Sequence, residues 1–238
     1  MKDVGDKISA EKAGWSFGGD VPDTFDEHVR KSVPLYDFGH KLTIGLSDFF
    51  VKNDSSVYEI GSSTGKLISK IALNAQDVKP DVKFYGIDIE KKMFEYSHNS
   101  FKDIDNLEFI CDDAFNVDMQ GADFIVAYYT VQFIRPSLRQ KLIDKIYKEL
   151  NWGGAFILFE KVRGADARFQ DILTTLYNEY KIDNGYTPSD IMSKSLSLKG
   201  ILEPFSSQGN IDMLRRAGFE DINTIQKYLC FEGFLAIK

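Results

Sequence analysis

SSVYEIGSSTGK, residues 55–66, is the stretch around which the chain is organised. Val57-Tyr58-Glu59-Ile60 is an apolar run carrying one acid and reads as a buried strand. Gly61-Ser62-Ser63-Thr64-Gly65 follows, small residues that let the backbone turn tightly and approach a ligand. Residues 66–75 then read as a helix, with Leu67, Ile68, Ile71 and Leu73 as its apolar positions. A strand, a glycine-bearing turn and a helix start, repeated along an α/β chain, make a nucleotide-shaped crevice at the strand's carboxyl end.

Working outward, VKFYGID (82–88) predicts a second strand ending in an acid, 90–101 a helix, and LEFIC (107–111) a third strand followed by Asp112-Asp113. DFIVAYYT (123–130) is nearly all apolar and predicts a strand buried on both faces. Pro136 opens a helix with Leu138, Leu142, Ile143, Ile146 and Leu150 on one face, and Gly153-Gly154 are expected to stop it. AFILFEKV (155–162) is a fifth strand. This alternation argues for a doubly wound, mostly parallel sheet. Residues 222–230 and 231–237 are joined too closely for a parallel crossover, so they are expected as a hairpin with an antiparallel last strand. A short helix over 210–217 precedes them, and residues 164–205 read as a helical cover over the strand ends. Upstream, 23–50 predicts two helices broken at Pro34, the second placing Leu42, Leu46, Phe49 and Phe50 in the core. Residues 1–20 read as a mobile tail, with Trp15 and Phe17 as lid or docking residues. The division expected is an N-terminal lid with helices over 1–53 and one ligand-binding domain over 54–238.

The 238 residues, 43% hydrophobic and 27% charged, fit an ordinary globular domain with a sizeable core. A net charge of -7 argues against a broad nucleic-acid-binding surface. Cys111 and Cys230 lack metal spacing and read as reduced, buried thiols. No apolar run reaches the roughly 18 residues of a membrane span, so the expected setting is cytoplasmic, with no membrane partner. His28, His40 and His98 stand apart from one another; His98 reads as surface and His40 as surface or core.

Three acids, Glu59, Asp88 and Asp113, fall at or just after three successive strands, whose ends converge on one crevice in a doubly wound sheet. An acid ending the second strand is placed to accept hydrogen bonds from both ribose hydroxyls, and one after the third strand from an adenine amino group. The turn lacks the dinucleotide and P-loop glycine patterns. A ligand with adenosine and no phosphate suits these residues better, which points to S-adenosyl-L-methionine.

The chain resembles the class I S-adenosylmethionine-dependent methyltransferases and, more narrowly, the carboxy-S-adenosylmethionine synthase family, which supplies a tRNA wobble-uridine modification. The resemblance is carried by FDEHVRKSVPLY (25–36), VYEIGSSTG (57–65), GID (86–88), the long block TVQFIRPSLRQKLIDKIYKELNWGGAFILFEK (130–161), NGY (184–186) and RRAGFE (215–220). It implies a seven-stranded sheet with the final strand antiparallel, and a homodimer. It also implies nucleoside contacts at Tyr36, at Gly61, Ser62 and Ser63 with Glu59 and Gly65 framing the turn, at Asp88 with Ile89, and at Asp113 with Ala114.

Two departures bear on function. Tyr128 stands where the family has an asparagine, and Ser195 where it has the arginine of a Q-K-R-S run, the residue expected to pair with the extra carboxylate of the carboxylated cofactor. Serine offers one hydroxyl and no charge, so the chain is not expected to make or retain that cofactor. The primary expectation is methyl transfer to a small-molecule acceptor. Tyr129, Gln132, Trp15 and Phe17 join Tyr36, Tyr128 and Ser195 as candidate contacts, Tyr128 favoured over Tyr129 because alternation points one of the pair away. Carboxy-S-adenosylmethionine synthesis from prephenate and a non-catalytic nucleoside-binding role are the alternatives. No metal and no catalytic base is assigned.

Overall fold

A computed structural model describes residues 2–3, 9–17, 21–76 and 78–238. The expected tail at 1–20 therefore falls partly outside the described residues. Two two-residue strands, β1 (Lys2–Asp3) and β2 (Ser9–Ala10), pair with each other. Helices α1 (Val21–Ser32) and α2 (Tyr36–Phe50) follow, broken around Pro34 as the sequence predicts.

The body is a seven-stranded sheet. Along the chain its elements are β3 (Ser56–Ile60), α3 (Lys66–Ala75), β4 (Lys83–Asp88), α4 (Lys91–Ser100), β5 (Leu107–Cys111), β6 (Ala122–Tyr128), α5 (Pro136–Glu149), β7 (Leu150–Lys161), α6 (Ala167–Asp183), α7 (Pro188–Ser197), α8 (Ser207–Ala217), β8 (Asp221–Tyr228) and β9 (Phe231–Ile237). The spatial order is β5-β4-β3-β6-β7-β9-β8, with β9 antiparallel to both β7 and β8 and the other pairings parallel. The chain runs outward from β3 to β5, then returns to β6 on the other side of β3, so the switch point lies between β3 and β6. Ligand crevices in open α/β sheets form there.

Apolar side chains cover both faces. Leu142, Ile143, Ile146, Met213 and Leu214 pack from α5 and α8 on one, and Leu67, Ile68 and Ile71 from α3 on the other. Ala155, Phe156, Ile157, Leu158 and Phe159 of β7 are fully buried, as expected of a strand covered on both sides.

Some sequence expectations are overturned. Gly153 and Gly154 do not stop α5; the helix ends at Glu149 and the glycines lie inside the irregular start of β7. The buried face of α2 is Gly39, His40, Thr43 and Ser47, and Phe49 is 78% exposed. Leu46 and Phe50 do pack against the core, as expected, and only Phe49 turns out, while the innermost positions meet the bulky rings of Tyr128 and Phe159 and take small and polar residues. Cys111 is exposed; Cys230 is buried.

Candidate functional site

Backbone geometry builds the site first. Gly61 has φ +69°, and a Cβ there would lie 2.4 Å from the Thr130 side chain across the switch point. Only glycine accommodates both that conformation and that approach. The amides of Gly61 and Ser62 donate to the Ile87 carbonyl at 2.8 and 2.9 Å, tying the turn to the end of β4. Gly65, at φ +74°, starts α3 and packs against Phe109 and Ser97. It shapes the turn and does not line the cavity. From above, Asp26 of α1 pins the turn, accepting from Thr64 Oγ1 at 3.2 Å and pairing with Lys66 Nζ at 2.5 Å.

Over the strand ends lies a cavity of about 570 Å³, within the size range of small-ligand sites. Tyr36, Glu59, Gly61, Ser62, Ser63, Asp88, Ile89, Asp113, Ala114, Tyr128, Tyr129, Gln132, Trp15 and Phe17 all line it. Asp88 Oδ2 accepts from Ser63 N at 2.7 Å and Oδ1 from Glu90 N at 2.9 Å, which holds its carboxylate in one orientation. Burial raises its pKa. Asp113 Oδ1 accepts from Phe115 N at 3.0 Å. Glu59 Oε2 accepts from Ile68 N at 2.9 Å, satisfying an amide in the first turn of α3. Desolvation outweighs that bond and raises the Glu59 pKa from 4.5 to about 8.

The two tyrosines behave differently from the expectation. Strand β6 ends at Tyr128, and Tyr129 takes φ +60°, so the pleat is broken and both rings reach the cavity. The Tyr128 hydroxyl is committed, donating to the Tyr36 carbonyl at 2.6 Å, whereas the buried Tyr129 hydroxyl has no partner among the described residues. Tyr128 also fills the space that Gly39 leaves: a Cβ there would sit 2.2 Å from its hydroxyl and 3.1 Å from Phe159. Gly39→Ala is expected to destabilise the protein by about 1–3 kcal/mol through overpacking. Tyr128→Phe in that background should recover part of the loss, as read by denaturant unfolding. An additive double mutant would mean the two positions do not meet.

Gln132 lines the cavity but spends its amide on backbone, donating to Tyr129 O at 3.1 Å and accepting from Lys161 N at 2.9 Å. Ser195 is off the site altogether, exposed on α7. One residue earlier, Lys194 turns inward, its Nζ 2.6 Å from His28 Nε2. The phase of a short helix decides which of two neighbours faces a cavity, and the sequence of α7 left that phase open.

Sequence reasoning missed both His28 and His40. His40 is 3% exposed, neither ring nitrogen has a partner among the described residues, and burial lowers its pKa to about 3, so it is neutral. An imidazole alone in sequence carries no signal of this; its place against Tyr36 and Tyr128, with ring centroids 4.7 and 4.8 Å away, comes from the fold. Trp15 closes the cover: its amide donates to Ser197 O at 3.4 Å, and its ring lies 5.4 Å from that of His28.

The residues fit an adenosyl ligand with a cationic tail. A held carboxylate stands at the end of β4, and Ser62 Oγ, Tyr129 Oη and Trp15 Nε1 are buried in the wall without partners among the described residues. The comparisons with known proteins agree. Residues 57–154 match a family model described as a methyltransferase domain. A SAM-dependent methyltransferase from Aquifex aeolicus superposes with a TM-score of 0.57 at 14% identity, over 91% of this chain and 97% of that one. Residues 57–154 thus form a methyltransferase domain, on a fold shared with S-adenosylmethionine-dependent methyltransferases.

Full-length relatives are more specific. The carboxy-S-adenosyl-L-methionine synthase of Staphylococcus epidermidis is 37% identical over 94% of this chain and 97% of its own length. That of Campylobacter lari is 34% identical over the full length of both. The chain belongs to the carboxy-S-adenosyl-L-methionine synthase family.

Proposed function

We propose that this member of the family transfers a methyl group from S-adenosyl-L-methionine to a small-molecule acceptor. The observation that carries the reading is the position of Ser195, where the family resemblance expects a carboxylate-binding arginine. Its side chain is small, uncharged, exposed and outside the cavity. Asp88 binds the ribose hydroxyls, Asp113 and Ala114 flank the adenine, and Glu59 with Tyr36 faces the methionine end. The sulfonium supplies an activated methyl group, so the protein's part is to hold an acceptor in line and keep water out. The rings of Tyr36, Tyr128 and Tyr129 suit a sulfonium cation. A second reading, carboxy-S-adenosylmethionine synthesis, is favoured by the inward Lys194, which brings a cation to the cavity from the same helix turn.

Mass spectrometry of the nucleoside released by gentle denaturation separates the two. S-adenosylmethionine or S-adenosylhomocysteine alone, with S-adenosylhomocysteine accumulating when a small-molecule extract is added, supports methyl transfer. A species heavier by one carbon dioxide, formed with prephenate, establishes the synthase.

Glu59 provides a pH signature. Its folded pKa lies above that of the free acid, so the ligand-free fold holds a proton that the unfolded chain releases between pH 4.5 and about 8. That contribution to stability is complete below 4.5 and lost as pH rises through about 8. A cationic ligand tail beside Glu59 favours the ionised form. Binding at pH 7 is therefore expected to release close to one proton, read by calorimetry in buffers of different ionisation enthalpy. The release should vanish in Glu59→Gln; unchanged release in that variant would place the proton elsewhere.

The setting proposed is cytoplasmic, supported by two cysteines that form no disulfide. Among the described residues no helix is long and apolar enough to cross a membrane. A homodimer is supported by the exposed stripe Phe169, Ile172 and Leu176 on α6. The net charge of -7 supports the absence of a direct nucleic-acid partner.

A further inference from the structure

The strand order lays out the cavity from one side to the other. Asp113 follows β5, Asp88 ends β4, Glu59 lies in β3, Tyr128 ends β6 and Lys161 ends β7, and all five line the cavity. With a nucleoside held over β4 and β5, the side left for an acceptor is the one at β7. Carboxylates stand at the first three positions and an ammonium at the last.

Lys161 Nζ lies over two ring faces, 4.5 Å from the Tyr177 centroid and 6.0 Å from that of Phe231, its register partner on β9. Ring faces favour the charged form. Lys181, on α6 and buried, places its own Nζ 4.4 Å from the same Tyr177 ring. Among the described residues neither ammonium forms an ion pair with a carboxylate. The carboxylates next in sequence to Lys161 and Phe231 are committed elsewhere. Glu160 accepts from Gln132 N at 3.2 Å and lies near Arg139, and Glu232 accepts from Ser207 Oγ and Thr224 Oγ1.

Buried charges are ordinarily paired, because desolvation penalises a charge left alone. That penalty acts on Lys161 and Lys181 alike, and an anion beside them would offset it. A second observation points to a ligand at the same corner. The Tyr129 hydroxyl is buried without a partner among the described residues, and its ring lies 5.8 Å from that of Phe231. Cys230 and Tyr177 are electrostatic neighbours of that phenol.

We propose that Lys161 receives a carboxylate of the methyl acceptor, with the Tyr129 hydroxyl as a second donor and Lys181 adding positive charge from α6. The inference rests on the methyl-transfer reading and deepens it by naming the acceptor's class. That class is a small carboxylic acid with an apolar body, bounded by Tyr129, Tyr177 and Phe231. A phosphate fits less well: it is suited to an arginine fork or a set of helix-terminal amides, and no arginine lines the cavity among the described residues.

The full chain saturated with S-adenosylhomocysteine tests this without turnover. The probes are monocarboxylates from acetate to naphthoate, each beside its own carboxamide, with affinities read by ligand-observed NMR. At least one acid is expected to bind about tenfold or more tightly than its amide, the effect of one charge-assisted hydrogen bond. Lys161→Met should abolish that preference while S-adenosylhomocysteine binding persists, and Lys161→Arg should keep it, since the charge remains. Tyr129→Phe, which removes one oxygen and little else, should weaken the acid by about threefold or more. Acids that bind no better than their amides overturn the proposal, as does a preference that survives Lys161→Met. A preference lost in Lys194→Met and kept in Lys161→Met moves the anion to α7 and overturns it equally. Failure of the methyl-transfer reading shows separately, as the carboxylated nucleoside, whatever the acids do.

Discussion

Replacing Arg139 with methionine is expected to cost about 3–5 kcal/mol of folding stability, the range for breaking a buried charged network. Arg139 is 1% exposed and is the largest fully buried side chain among the described residues. Its guanidinium donates to three backbone carbonyls: Ile134 at 2.8 Å, Glu203 at 2.6 Å and Gln132 at 2.9 Å. It also stacks on Phe205, 4.5 Å from the ring centroid. Methionine fills much of the volume but leaves the Ile134 and Glu203 carbonyls without donors, each costing about 1–3 kcal/mol if water cannot reach it, and leaves Gln132 O only the Glu203 amide at 3.2 Å. Glu160, whose raised pKa is held down in part by this guanidinium, also loses its neighbouring charge. Lysine keeps the charge but not the fork, and one ammonium cannot serve three divergent carbonyls, so Arg139→Lys should recover less than half the loss. Denaturant unfolding of the three proteins measures this; a loss below about 1 kcal/mol for methionine would mean that water replaces the guanidinium. Gln132 and Ile134 line the cavity, so loosening their loop should weaken nucleoside binding as well.

The second large effect is expected at Asp88. Asp88→Ala should reduce affinity for S-adenosylhomocysteine by about 10²-fold or more, since two charge-assisted hydrogen bonds of about 1.5–3 kcal/mol each are lost. The carboxylate is fixed by the amides of Ser63 and Glu90, so its orientation is settled before the ligand arrives and little is spent on ordering it. Asp88→Asn retains one oxygen and should fall between the two, because its amide nitrogen meets a backbone donor where the second oxygen accepted. Calorimetric titration of the three proteins decides it. Unchanged affinity in the alanine variant would remove Asp88 from the ribose site and reopen the choice of ligand.

The parts of the site legible in the sequence are those imposed by backbone periodicity. A run of alternating strands and helices requires Glu59, Asp88 and Asp113 to arrive at neighbouring strand ends, and the cavity does gather them. The parts not legible depend on the phase of a helix or on one unusual backbone angle. Ser195 and Lys194 differ by one step around α7, and the inward residue is the lysine. Tyr128 and Tyr129 would point to opposite faces in a continuing strand, but the left-handed conformation of Tyr129 brings both to the cavity. In α2, Phe49 was expected inside on apolarity, whereas Gly39 and His40 take that face because large rings already occupy the space they meet. His28 acquires chemical meaning only from neighbours far away in sequence, Tyr186 and Lys194.

The placement of β9 between β7 and β8 has a consequence for how the protein is made. Until β9 is synthesised β7 is the sheet's edge, and its run from Ala155 to Phe159 is wholly apolar and fully buried in the finished fold. An unpaired strand of that kind is a template for association between chains. It is paired only after residues 231–237 leave the ribosome, and Phe231, the first of them, also lines the ligand cavity. Protection from aggregation and completion of the binding site therefore arrive together, with the strand of the sheet that is translated after the other six.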